Sequence, residues 1–174
     1  AGLSTGALRH YFDDQSTLLL FAARHSVELA SERLFGHLSD TGAEPRTTVQ
    51  ACLEELLPLD EQRAAEAAVY FGLGDLARLT PEHTALREVM FVQARRLYRL
   101  LVGWLAGGPQ PTPEILLNEP AAGASPMVDP TLETRARGLH MFIDGLAVSG
   151  LICPGPLPAA EVRNTLAAEL DRLV

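Results

Sequence analysis

A chain of 174 residues with 47% hydrophobic residues fits one ordinary domain, or a small head on a larger body, and can bury a sizeable core. No apolar run approaches the length of a membrane span and the opening residues lack a signal-peptide layout, so a membrane partner is not expected. The formal net charge of −8 argues against a bare nucleic-acid binder, whose affinity comes largely from Lys and Arg on phosphates, so any nucleic-acid contact has to be local.

In chain order, residues 1–19 read as a turn, a very short helix, a second turn and the start of a long helix. Gly2 suits the left-handed position after a helix end, and Ser4 is a good N-cap for a helix carrying Ala7, Leu8, Arg9 and His10. Asp13 or Asp14 can cap the helix that follows. Two helices joined by a tight Gly-containing turn meet the needs of a helix-turn-helix, whose second helix must stand clear to enter a DNA groove.

Ala1-Gly2-Leu3-Ser4-Thr5-Gly6-Ala7-Leu8, then Tyr11-Phe12, a polar residue at Gln15 and Leu18-Leu19, resembles the second half of the TetR-family DNA-binding domain. The resemblance implies that the short helix is a recognition helix and that the next helix connects it to a ligand-binding, dimerising C-terminal domain. It places Thr5, Gly6 and Ala7 near base edges, with Ala7 able to pack on a thymine methyl. Ser4, Arg9, His10, Tyr11 and Gln15 are placed for phosphates or flanking bases. Two positions depart from the family's usual pattern. Arg9 stands where an aromatic residue is frequent and Gln15 where Lys usually grips phosphate, and Arg9 can offset the weaker grip. The same alignment implies two helices preceding Ala1 with a basic character. Residues 1–37 would then hold the later part of the head plus the connecting helix, and 38–174 the ligand-binding and dimerisation domain. Up to Phe35, Arg9, Arg24 and Arg33 face Asp13, Asp14, Glu28 and Glu32, so the acidity belongs mostly to the body.

From Asp14 to about Leu38, Leu19, Ala23, Val27, Ala30, Leu34 and Leu38 recur at helical spacing, with Arg24, Glu28 and Glu32 on another face. A helix of that length spans about 35 Å, enough to link a head to a distant pocket. Ser39 to Pro45 forms turns, Arg46 to Leu57 reads as a helix ended by Pro58, and Asp60 can cap a helix running to about Leu79. Leu56-Leu57-Pro58-Leu59-Asp60-Glu61 with the helix after it resembles the C-terminal domain of the TetR branch that includes the betaine-synthesis repressor. Thr80-Pro81 starts a helix with Leu86, Val89, Met90, Val92, Leu97, Leu101 and Leu105 on it, stopped by Gly107 and Gly108. Residues 107–130 hold six of the twelve prolines and read as a long surface loop around the short apolar run Ile115-Leu116-Leu117.

Asp129-Pro130 repeats the cap-plus-proline start, and Thr131 to Ile152 reads as a helix with two apolar faces. Leu132, Leu139, Phe142 and Leu146 make one, and Ala136, Ile143, Ala147 and Gly150 the other. Ala159 to Val174 closes the chain with Val162, Leu166, Leu170 and Leu173 in line. The family resemblance implies that these last two helices pair with their copies in a four-helix bundle, through Leu139, Phe142, Leu146, Leu166 and Leu170.

The chain therefore reads as all-α, a partial helix-turn-helix head joined by a long helix to a helical ligand-binding and dimerisation domain. Tyr70, Phe71, Met90, Phe91, Tyr98, Trp104, Met141 and Phe142 supply large apolar area, and Arg95, His83, His140, Glu66 and Asp144 can anchor polar groups. Phe71, Met90, Phe91, Arg95, Tyr98, His140 and Asp144 are the expected ligand site. The second resemblance also implies an aromatic cage for a quaternary ammonium ligand. Gly2-Leu3-Ser4-Thr5-Gly6 matches a hydrolase nucleophile elbow, but that elbow needs a sheet, and no strand pattern is present. The five histidines form no i, i+3 or i, i+4 pair, so no metal site is expected. Cys52 and Cys153 form no CxxC spacing and read as small buried apolar residues in a reducing cytoplasm. No cofactor and no catalysis are implied. The expected function is a ligand-responsive repressor with operator DNA, a second copy of itself and an unidentified small-molecule effector as partners. An all-helical adaptor without DNA binding is the alternative.

Overall fold

The structure, a computed structural model, describes residues 15–40, 42, 44–76, 80–117, 129–153 and 157–173. Among them are seven helices and no strand: α1 (Gln15–Leu38), α2 (Pro45–Glu54), α3 (Glu61–Leu76), α4 (Pro81–Leu105), α5 (Pro113–Leu117), α6 (Pro130–Ile152) and α7 (Ala159–Leu170). The all-α expectation holds. Ser4, Thr5, Gly6, Ala7, Arg9, His10 and Tyr11 lie outside the described residues, and Gln15 is the first residue of α1.

Helix starts follow local chemistry. Asp60 Oδ1 accepts from the backbone N–H of Arg63 at 2.8 Å, Thr80 Oγ1 from that of His83 at 3.3 Å, and Asp129 Oδ1 from that of Thr131 at 2.7 Å. Pro81 and Pro130 sit at the first helical position, where the missing N–H costs nothing. Glu44 plays the same part for α2, accepting from Arg46 and Thr47 at 2.9 and 2.6 Å ahead of Pro45. Helix α4 stops at Leu105, and Gly107 takes a positive φ of 89°, the left-handed conformation that lets the chain leave.

Two boundaries and the exposure of one residue differ from expectation. Helix α2 ends at Glu54 rather than Leu57, because the N–H groups of Leu56 and Leu57 bond back only three residues, to Leu53 and Glu54. The residue before Pro58 is also pushed out of helical geometry. The surface loop expected over 107–130 contains α5, whose Ile115 and Leu116 carbonyls accept from the Arg96 guanidinium. Of the two cysteines, Cys52 is buried as expected, while Cys153, the residue that ends α6, is exposed.

Helix α4 lies along α6, α1 packs on α3 and α2, α3 meets α6, and α7 covers α2. The main core gathers Leu38, Leu53, Leu57, Leu101, Leu139, Leu166 and Leu170 from five segments. A smaller core of Ala23, Leu73 and Met90 lies further toward the start of α1. This arrangement corrects part of the expected dimer surface. Leu139, Leu166 and Leu170 are 0% exposed in a single subunit, so they belong to its interior and not to a face another copy can touch. Phe142 and Leu146 remain half-buried.

Candidate ligand cavity

The two cores do not merge along α1. A cavity of about 510 Å³ draws its walls from both, with Val27, Tyr70 and Met90 from the smaller and Leu34, Leu97, Tyr98 and Ile143 from the larger. That volume falls in the ~300–1,000 Å³ range of small-molecule sites. Helices α1, α3, α4 and α6 supply most of the wall, Leu56 and Leu116 adding to it from the turn after α2 and from α5.

Of the expected ligand residues, Phe71, Met90, Tyr98 and Asp144 line this cavity. Phe91, Arg95 and His140 do not. Met90, Ala94, Leu97 and Tyr98 share one face of α4 at i, i+4, i+7 and i+8, so Phe91 and Arg95 fall about 100° away, on the next stripe. Phe91 is 53% exposed, and Arg95 donates to Glu133 Oε1 at 2.9 Å. His140 lies behind the wall with its ring stacked 4.5 Å from that of Tyr98 and tilted 5.2 Å from that of Phe91. Tyr70 and Glu66 are lining residues, whereas Trp104 and His83 are buried elsewhere and Met141 points to solvent. The rings do not converge as a cage: Tyr70 and Phe71 meet edge to face at 5.1 Å, and one face of Tyr98 is taken by His140.

One polar part of the wall is an ion cluster that periodicity along the chain does not reveal. Arg33 of α1 reaches Glu55 at 2.7 Å and Glu66 at 2.5 Å, and Glu55 also holds His37 at 3.1 Å and Arg63 at 3.5 Å. Burial pushes the Glu55 carboxyl up, but the hydrogen bonds from His37 and Arg33 outweigh it and hold the group below its ordinary range. The hydrogen bond to Glu66 in turn raises Arg33. These contacts cross 22 and 33 residues of sequence, beyond any periodicity argument. The signal that could have found them is register, since Arg33 continues the Ser26–Ala30 row that faces the cavity.

The other polar feature is Asp144. Its Oδ2 is 3.4 Å from Nε2 of His140, which is buried and makes no hydrogen bond. Burial raises Asp144 to about 6, and burial with the nearby Arg95 charge lowers His140 to about 4, so at neutral pH the pair is a carboxylate beside a neutral imidazole. Burial, and then the Asp144 charge, push Tyr70 up to about 12 and Tyr98 well above its ordinary value. Among the described residues, no group of three His, Cys, Asp or Glu side chains could hold a metal ion, and no helix is long and apolar enough to cross a membrane.

Residues 45–174 match the family model of the BetI-type transcriptional repressor C-terminal domain. The chain is 37% identical to the HTH-type transcriptional regulator PksA of Bacillus subtilis (strain 168), over 99% of this chain and 75% of that protein. It is 25% identical to the HTH-type transcriptional regulator BetI of Stenotrophomonas maltophilia (strain R551-3), over 98% of this chain and 76% of that one. A transcriptional regulator from Rhodococcus sp. Rha1 of known crystal structure superposes with a TM-score of 0.65 at 25% identity, covering 99% of this chain and 79% of its own.

Proposed function

We propose what this protein does from one premise: it belongs to the TetR family of transcriptional repressors, with a BetI-type C-terminal domain. It regulates transcription. Our reading is that residues Ser4, Thr5, Gly6, Ala7, Arg9, His10, Tyr11 and Gln15 contact an operator, and that an effector in the cavity releases the protein from it. The observation that carries this reading is the cavity itself. It lies between the two packed cores of α1, the helix that leads from the recognition segment into the body, so whatever fills it acts on that helix directly. Operator and effector would weaken each other equally, by a coupling of ~1–3 kcal/mol.

The protein acts, in this reading, as a homodimer whose two recognition helices meet successive major grooves of a pseudo-palindromic site. The outer faces of α6 and α7 supply the contact, where Phe142 borders a shallow surface groove lined by Ala160, Asn164 and Ala168. The test is a mobility-shift titration of the protein as encoded by its gene against the DNA upstream of that gene, at two salt concentrations. Tight, salt-sensitive binding that Arg9→Ala and Tyr11→Ala each weaken about tenfold is expected. No binding at low salt to any neighbouring promoter would move the assignment to an adaptor without DNA function.

A further inference from the structure

The walls of the cavity are mostly apolar, yet its charges do not balance. Its lining includes Glu28, Glu32, Glu55, Glu66 and Asp144 against a single arginine, Arg63. Arg33 and Arg63 neutralise Glu55 and Glu66. Glu28 and Glu32 are exposed on α1. Asp144 is left. Among the described residues no arginine comes within 4.0 Å of its carboxylate and it accepts no hydrogen bond. The groups that face it from the packed helices are Tyr70 of α3 and Tyr98 of α4, with His140 of its own helix beside it and Arg95 of α4 next to His140. Arg95 is committed to Glu133, and His140 offers no hydrogen bond across 3.4 Å. Asp144 keeps 38% of its side chain exposed, and its ionised carboxylate has about four acceptor sites that a donor entering the cavity can meet.

We propose, resting on the reading of this cavity as the effector site, that the effector is a protonated amine with an apolar body and that Asp144 holds its ammonium group. The N–H donors of an ammonium meet the carboxylate oxygens with charge-assisted hydrogen bonds, and the apolar walls take the body. An anion is repelled by Asp144. A quaternary ammonium brings charge without donors, and one face of Tyr98 is already taken by His140. The specificity element is therefore the Asp144 carboxylate, which has no arginine partner among the described residues.

The experiment is calorimetric titration at pH ~7.5 with four probes of one chain length: octylamine, octan-1-ol, octanoate and octyltrimethylammonium. The expected result is that octylamine binds about tenfold or more tightly than the other three. Asp144→Asn lowers its affinity to that of octanol and leaves octanol unchanged, which also shows that the variant is folded. If octanoate or octyltrimethylammonium binds as tightly as octylamine, or Asp144→Asn keeps the octylamine affinity, the proposal is overturned while the effector cavity stands. If none of the four binds, both fall.

Discussion

Asp144 and His140 titrate in opposite senses within one wall, and their signs make a pH prediction. In the folded chain Asp144 keeps its proton up to about 6 against an ordinary 3.8, so the stability it contributes is full below 3.8 and is lost as the pH rises through 6. His140 falls from 6.5 to about 4, so the stability of its neutral form is full above 6.5 and is lost as the pH falls through 4. Asp144→Asn removes only the first effect. It should stabilise the unliganded protein by about 1 kcal/mol near pH ~8, allowing for the solvent that still reaches the carboxylate, with the difference vanishing toward pH ~4. Urea unfolding of both proteins across that range measures it. A loss of stability at the alkaline end would mean that Asp144 has a structural partner after all. The residue itself was legible in the sequence as a polar position on an apolar helix. Its lack of a partner was not, because that depends on which side chains of α3 and α4 arrive opposite.

At the scale of the elements, helix starts were readable and connections were not. Asp60, Thr80 and Asp129 could be named as caps because a cap is a bond between residues two or three apart. The end of α2 and the existence of α5 depend on what the segment meets, Leu57 turning into the core and Arg96 holding the carbonyls of α5. The same limit hid the clamp by which Arg33 ties α1 to the turn after α2 and to α3. Glu55 is 13% exposed and pairs with Arg33 and Arg63, with His37 also in hydrogen-bond reach, so removing Arg33 leaves charge short of compensation in a half-buried place. Arg33→Met, which keeps the length of the side chain, should cost about 2 kcal/mol in thermal or urea unfolding, and Arg33→Met with Glu66→Gln less than the sum of the two single changes. Strict additivity would show that the clamp is a surface contact with no hold on α1.

For the whole molecule, what the sequence left ambiguous was inside against outside. Helices α6 and α7 are apolar on more than one side, and leucine looks the same whether it packs within a subunit or against a copy. The structure resolves this for α7: Leu166 is fully buried, while Ala168, two residues on and about 200° around the helix, is exposed beside Ala160 and Asn164. A row of small residues at i, i+4 and i+8 lets a second helix approach closely, which is why the proposed dimer is placed there. The two positions should therefore fail in different ways. Leu166→Ala opens a void in the core and should lower stability by about 2–5 kcal/mol. Ala168→Arg fills no core space and should leave helix content intact while converting the dimer to a monomer at micromolar concentration. Sedimentation velocity paired with circular dichroism reads both. If Ala168→Arg sediments as a dimer, the two-fold axis passes elsewhere, and the half-buried Phe142 and Leu146 of α6 become the positions to charge next.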